Sequence, residues 1–116
     1  MTINGLQIKM VAGDSKTIDI AITDADGTVT DLTDTTLRWS LAPVLKIGEQ
    51  TFGDPVLAYE GAPHLTVPTP GTVRLSLPKG AVPTGTWFHE LEVSWTSGES
   101  ETVARGLLIA HPSIRP

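Results

Sequence analysis

Apolar and polar residues alternate with a period of two along most of this chain. Thr17-Ile-Asp-Ile-Ala-Ile-Thr23 puts Ile18, Ile20 and Ile22 on one face and Asp19 and Ala21 on the other. Leu37, Trp39 and Leu41 alternate with Arg38 and Ser40, and Val73, Leu75 and Leu77 follow the same rule. The longest run is Trp87–Trp95, in which Trp87, His89, Leu91, Val93 and Trp95 share a face while Glu90, Glu92 and Ser94 point away. Successive side chains of a strand leave on opposite sides, so this pattern predicts strands with one wet face. Leu6–Met10 and Glu101–Ala110 extend the set, and Val56–Glu60 and His64–Val67, the latter stopped by Pro68, are weaker candidates. In Glu101–Ala110 the phase of Val103, Leu107 and Ile109 also takes in Arg105. Either that arginine snorkels at an edge or Gly106 marks a bulge that resets the register.

Turn chemistry separates the runs. Asp24-Ala-Asp-Gly27 and Thr96-Ser-Gly-Glu-Ser100 are hairpin signals, because glycine supplies the positive φ of tight antiparallel turns. Pro68, Pro70-Gly71, Pro78, Pro83 and Gly85 break the chain between other strands, and residues 44–55 read as a long loop or an irregular hairpin tip. No sustained 3.6-residue period is present. The expected fold is all-β: a single antiparallel β-sandwich of seven to eight strands, immunoglobulin-like, over residues 1–110, with 111–116 as an extended C-terminal arm.

Composition narrows the function classes. The 116 residues carry 8 Lys+Arg against 13 Asp+Glu, a formal charge of −5. Binding to nucleic acid or anionic lipid needs a basic footprint, so neither partner is expected. There is no cysteine, which removes disulfides, thiolate metal sites and thiol nucleophiles. No stretch approaches the length of a membrane span, and Met1–Met10 lacks the basic and apolar regions of an export signal.

Candidate chemistry is sparse. Asp24, Asp26 and Asp31 are weak candidates for a calcium loop, but counting from Asp24 places Gly27 fourth and Thr35 twelfth, where an EF-hand needs Gly sixth and Glu twelfth. Turn formation is the plainer role for these aspartates. His64, His89 and His111 lie in different elements, and His89, between Trp87 and Leu91 on an apolar face, reads as a hydrogen-bonded core residue. Ser97 lacks a nucleophile elbow, and Glu90 with Glu92 occupies a solvated strand face rather than a cleft. No catalytic residue, cofactor or metal is therefore expected, and the chain does not read as an enzyme. Trp39 and Trp95 fit core positions. Trp87, Phe88 and Leu108 are the interface candidates, Phe88 as an exposed aromatic anchor and Leu108 as a residue facing away from Leu107 and Ile109.

Val11-Ala-Gly-Asp-Ser-Lys-Thr-Ile-Asp-Ile, followed by Thr23-Asp-Ala-Asp-Gly-Thr-Val-Thr-Asp-Leu-Thr-Asp-Thr-Thr-Leu-Arg-Trp-Ser, resembles small bacteriophage and prophage tail or baseplate proteins. Pro83-Thr-Gly-Thr-Trp-Phe-His-Glu-Leu-Glu-Val-Ser-Trp and Thr102-Val-Ala-Arg-Gly-Leu-Leu-Ile continue the likeness, which covers about residues 11–112 and is weakest over 43–70. The resemblance implies a non-enzymatic structural component of a virion, assembled in the bacterial host cytoplasm. Its partners would be other phage tail proteins and further copies of itself. The alternative from a different class is an immunoglobulin-like module binding a cell-surface carbohydrate or calcium.

Overall fold

The computed structural model describes Ile3, residues 5–46 and residues 51–112, and every regular element within them is a strand. In chain order these are β1 (Ile8–Val11), β2 (Lys16–Ala21), β3 (Thr35–Lys46), β4 (Thr51–Phe52), β5 (Leu57–Glu60), β6 (Leu65–Thr69), β7 (Thr72–Leu77), β8 (Gly85–Trp95) and β9 (Ser100–His111). One sheet runs β1-β9-β8-β3, with β5 and the two-residue β4 following one another along the far side of β3. The second sheet is β2-β7-β6. The two sheets pack in a sandwich-like arrangement whose interior holds Trp39, Leu41, Val73, Leu75, Leu91 and Val93, all fully buried.

The alternating runs are the strands. Leu37, Trp39 and Leu41 stand opposite Val93, Leu91 and His89 across β3 and β8, so two period-two patterns present one apolar face. Ile18 and Ile20 pair likewise with Leu75 and Val73 on β7. The Asp24–Gly27 turn closes with Gly27 N–H on the Asp24 carbonyl (2.9 Å), and the Trp95–Glu99 turn with Gly98 N–H on the Trp95 carbonyl (3.0 Å). Within the expected loop or hairpin tip 44–55, Val44 stands opposite Phe52 and Lys46 opposite Thr51, with a register shift between the two pairs. Residues 47–50 lie outside the described residues, as does the expected arm beyond Pro112. Two expected ends shift: β6 runs through Pro68 to Thr69, and His111 is the last residue of β9 rather than the first of an arm.

Two further expectations are corrected. The fold is not wholly antiparallel, because β1 lies parallel to β9, with Ile8 opposite Leu108 and Val11 opposite His111. A turn, closed by Asp14 N–H on the Val11 carbonyl (3.1 Å), carries the chain from β1 to the other sheet, so no hairpin dictates the direction of β1 beside its neighbour. The bulge in β9 is real but sits away from Gly106. The register shifts between Leu91 and Glu92, which face Ala104 and Thr102, leaving Val103 as the extra residue. A one-residue slip exchanges faces. Ala104, Gly106, Leu108 and Ala110 therefore line the interior with Val103, while Arg105, Leu107 and Ile109 stand on the outer face.

Candidate functional site

The aspartates proposed for a cation each take a different threonine as partner. Asp24 Oδ1 accepts from the Thr30 hydroxyl at 2.8 Å, Asp26 Oδ1 accepts from both the amide and the hydroxyl of Thr28, and Asp31 Oδ1 accepts from the Thr33 amide at 2.9 Å. Hydrogen bonds from Thr28 and from Thr33 hold the Asp26 and Asp31 carboxyls below their ordinary range. The three are not brought into one ligand set, and among the described residues no three potential ligands converge on a metal position.

Two of the three interface candidates are removed by burial. Leu108 has no exposed surface, because the Val103 bulge turns it inward opposite Trp87. Phe88 does lie on the outer face, yet only 5% of it is exposed. Ala42 and Leu107 are its cross-strand neighbours, and the Arg105 guanidinium covers its ring at 5.1 Å. Arg105 in turn reaches Glu90 at 3.6 Å, so this arginine is a lid on the aromatic rather than an edge residue. Trp87 stays half-buried, with its indole N–H donated to the Pro83 carbonyl at 3.0 Å.

The histidines separate by environment. His64 stacks on Tyr59, with ring centroids 3.9 Å apart, and its Nδ1 lies 3.1 Å from the Ser76 carbonyl. His89 is wholly buried: Trp39 Nε1–H donates to its Nδ1 at 3.3 Å, and its Nε2 lies 2.7 Å from the Leu6 carbonyl oxygen. Burial lowers the His89 pKa, with the Leu6 carbonyl opposing. His111 is exposed at the end of β9.

The feature that periodicity alone does not reveal is the margin of the smaller sheet. Among the described residues β2 pairs only with β7, in an unbroken register from Lys16–Leu77 to Ala21–Thr72. Ile22 N–H continues this ladder onto the Gly71 carbonyl at 2.8 Å. Antiparallel bonding alternates, so the even-numbered residues face β7, and Thr17, Asp19 and Ala21 aim their backbone N–H and C=O groups along the free margin. The side chains of these three are exposed, and Asp19 is clamped by Arg74 of β7 through bonds of 2.8 and 3.1 Å. That clamp keeps the Asp19 carboxyl ionised below its usual range. The opposite margin, β6, is less regular: its register shifts between Thr66 and Thr69, and Pro68 has no N–H to offer. Beside it, Val67 is 41% exposed and borders a shallow groove shared with Leu32, Asp34, Glu60 and Leu65. The arrangement as a whole is equipped to bond an added strand and to bury small apolar patches.

Compared with protein families and with curated proteins, the chain matches none.

Proposed function

We propose that the chain is a non-enzymatic structural module of a phage or prophage particle, at the tail, baseplate or fibre attachment, that assembles through protein–protein contacts on an immunoglobulin-like scaffold. The observation that carries this reading is the free β2 margin, an unbroken six-residue strand edge on an acidic chain. Natural sheet edges are commonly blunted by prolines, bulges or very short strands. β2 contains no proline and no bulge. Two such margins related by a twofold axis at Ile18 would exchange backbone bonds between Thr17 of one copy and Asp19 of the other. The half-buried Ile18 pair would meet at the centre. Strand order supports the immunoglobulin-like reading: β2-β7-β6 follows the B-E-D order and β9-β8-β3 the G-F-C order, with Trp39 buried on the strand equivalent to C.

The test is association. The purified protein is expected to elute as an oligomer, or to bind the tail proteins encoded beside it when they are co-expressed. Thr17→Pro, which blocks the margin at a residue whose N–H points away from β7, is expected to abolish or weaken that association at least tenfold while leaving the β-sheet circular-dichroism spectrum in place. A strictly monomeric protein that binds none of those neighbours overturns the reading. The calcium- or sugar-binding alternative draws less support, since Asp24, Asp26 and Asp31 are committed to separate threonine partners and Trp87 is tied to Pro83. Millimolar calcium is accordingly expected to leave the melting temperature unchanged, and a rise of several degrees would revive that alternative.

A further inference from the structure

We propose that His89 is the pin of an acid-released latch that holds the N-terminal strap, Ile3 and residues 5–11, against β9. The strap is the outermost element of the larger sheet, and among the described strands its backbone ladder runs to β9 alone. Ile3 forms a parallel bridge with Ala104, its N–H reaching the Val103 carbonyl at 2.8 Å and its carbonyl receiving the Arg105 N–H at 2.9 Å. Residues Ile8–Val11 then pair with Leu108–His111. Between these two attachments Leu6 donates its N–H to the Arg105 carbonyl at 2.9 Å and turns its own carbonyl onto His89 Nε2 at 2.7 Å. Gly106 makes this approach possible, because the Leu6 backbone occupies the space a Cβ would need.

Geometry fixes the protonation state of the pin. An indole N–H can only donate and a peptide carbonyl can only accept, so Nδ1 must be a bare acceptor and Nε2 must carry the proton. The imidazole is therefore neutral in the latched state. A second proton would go to Nδ1 and point directly at the Trp39 N–H, setting donor against donor at a fully buried ring. Among the described residues, the surrounding groups offer the resulting cation no counter-charge. β3 contributes Trp39 and Leu41, β9 contributes Gly106, and the strap contributes the Leu6 backbone. Tyr59 and His64 lie behind Trp39, and Arg105 and Glu90 sit on the outer face of the sheet. The second sheet supplies Val73, Leu75, Leu77 and Ile20 to the interior. Protonated His89 is relieved when water reaches it, and lifting an edge strap achieves this while the β9-β8-β3 ladder stays whole. Ile8 and Met10, both buried, oppose the lift, so the latch biases an equilibrium that those side chains otherwise keep closed.

The sign follows from linkage. His89 has a lowered pKa when latched, whereas in the open state it titrates near the ordinary 6.5. Latching is thus fully supported above about pH 6.5, and support is lost as pH falls from there through the latched pKa. Within that window one proton is taken up on opening, so strap protection falls about tenfold per pH unit. Amide hydrogen exchange on the intact chain, expressed as protection factors between pH 7.5 and pH 4.5, reads this directly. The amides of Leu6, Ile8 and Met10, which face β9, are expected to lose protection on acidification, while those of Leu37–Leu41 and Leu91–Val93 hold theirs. His89→Gln, whose amide can still donate to Leu6 and accept from Trp39 but cannot titrate, is expected to flatten the pH response. Should that variant not fold, Trp39→Phe removes the opposing donor while keeping most of the apolar contact, and is expected to narrow the responsive window. Equal loss of protection in strap and core, a strap indifferent to pH, or an undiminished response in His89→Gln would each overturn the latch.

Discussion

Replacing Trp39 by alanine is expected to remove about 3–5 kcal/mol of stability, the range for deleting a large buried aromatic side chain. On a domain of this size that corresponds to a fall in melting temperature on the order of 10–25 °C. Trp39 has no exposed surface and stands at the centre of β3, opposite Leu91 on β8 and Tyr59 on β5. Its ring stacks on Tyr59, with centroids 6.3 Å apart and planes 15° apart, and tilts against His89 at 6.0 Å. Alanine would leave a cavity between these two rings and strip the donor from His89 Nδ1. Trp39→Phe separates the effects, since it keeps most of the apolar contact and loses the N–H. Its cost is expected to be about 1–3 kcal/mol, the penalty for a buried acceptor left without a partner. Chemical denaturation of both variants checks the order. Trp39→Ala within 1 kcal/mol of the unsubstituted protein would mean that the ring is not the keystone of the interior.

Much of this architecture was legible because alternation is a direct consequence of strand geometry. Ile18 and Ile20, Leu37 to Leu41 and Val73 to Leu77 each declare a strand and its inner face without reference to any neighbour. The reading failed where a side chain's direction depends on pairing. In β9 Arg105 shares the parity of Val103, Leu107 and Ile109, so the sequence leaves open whether the arginine snorkels at an edge or a bulge at Gly106 resets the register. The answer decides that Leu108 is core and that Leu107 stands outside. Phe88 departs from the expected exposure for a related reason. Its outward parity is correct, but the cover comes from Arg105, which only the paired register brings to it. The turn aspartates were legible as turn residues, since Asp26 and Asp31 bond two residues ahead, a purely local act. Which strand would be left with a free margin was not legible at all. β2 and β7 have equally regular patterns, and only the order β2-β7-β6 distinguishes an edge from a centre.

Gly106→Ala is expected to be the most damaging conservative change outside the aromatic cluster, and its effect should be confined to one edge. Glycine inside a strand marks either a bulge or a close backbone approach. Here it is the latter, since His89 and Gly106 pair in register and the Leu6 backbone lies over the glycine. A Cβ would clash with the Leu6 carbonyl oxygen and come within 2.7 Å of its N and C atoms, all of them backbone atoms that no rotamer change can move. Overpacking of this kind costs about 1–3 kcal/mol. Lifting Leu6 also deprives the buried His89 N–H of its acceptor, a further loss of about 1–3 kcal/mol. The two losses share one displacement and so need not add in full. Hydrogen exchange is expected to show the Leu6, Ile8 and Met10 amides deprotected beyond the global loss, with β2, β6 and β7 following global stability alone. Because the imidazole is then open to water, its titration would move back toward the ordinary histidine range, and the acid sensitivity of the strap would shrink. An alanine variant as stable as the unsubstituted protein, with Leu6 still protected, would show that the strap does not depend on the space this glycine leaves.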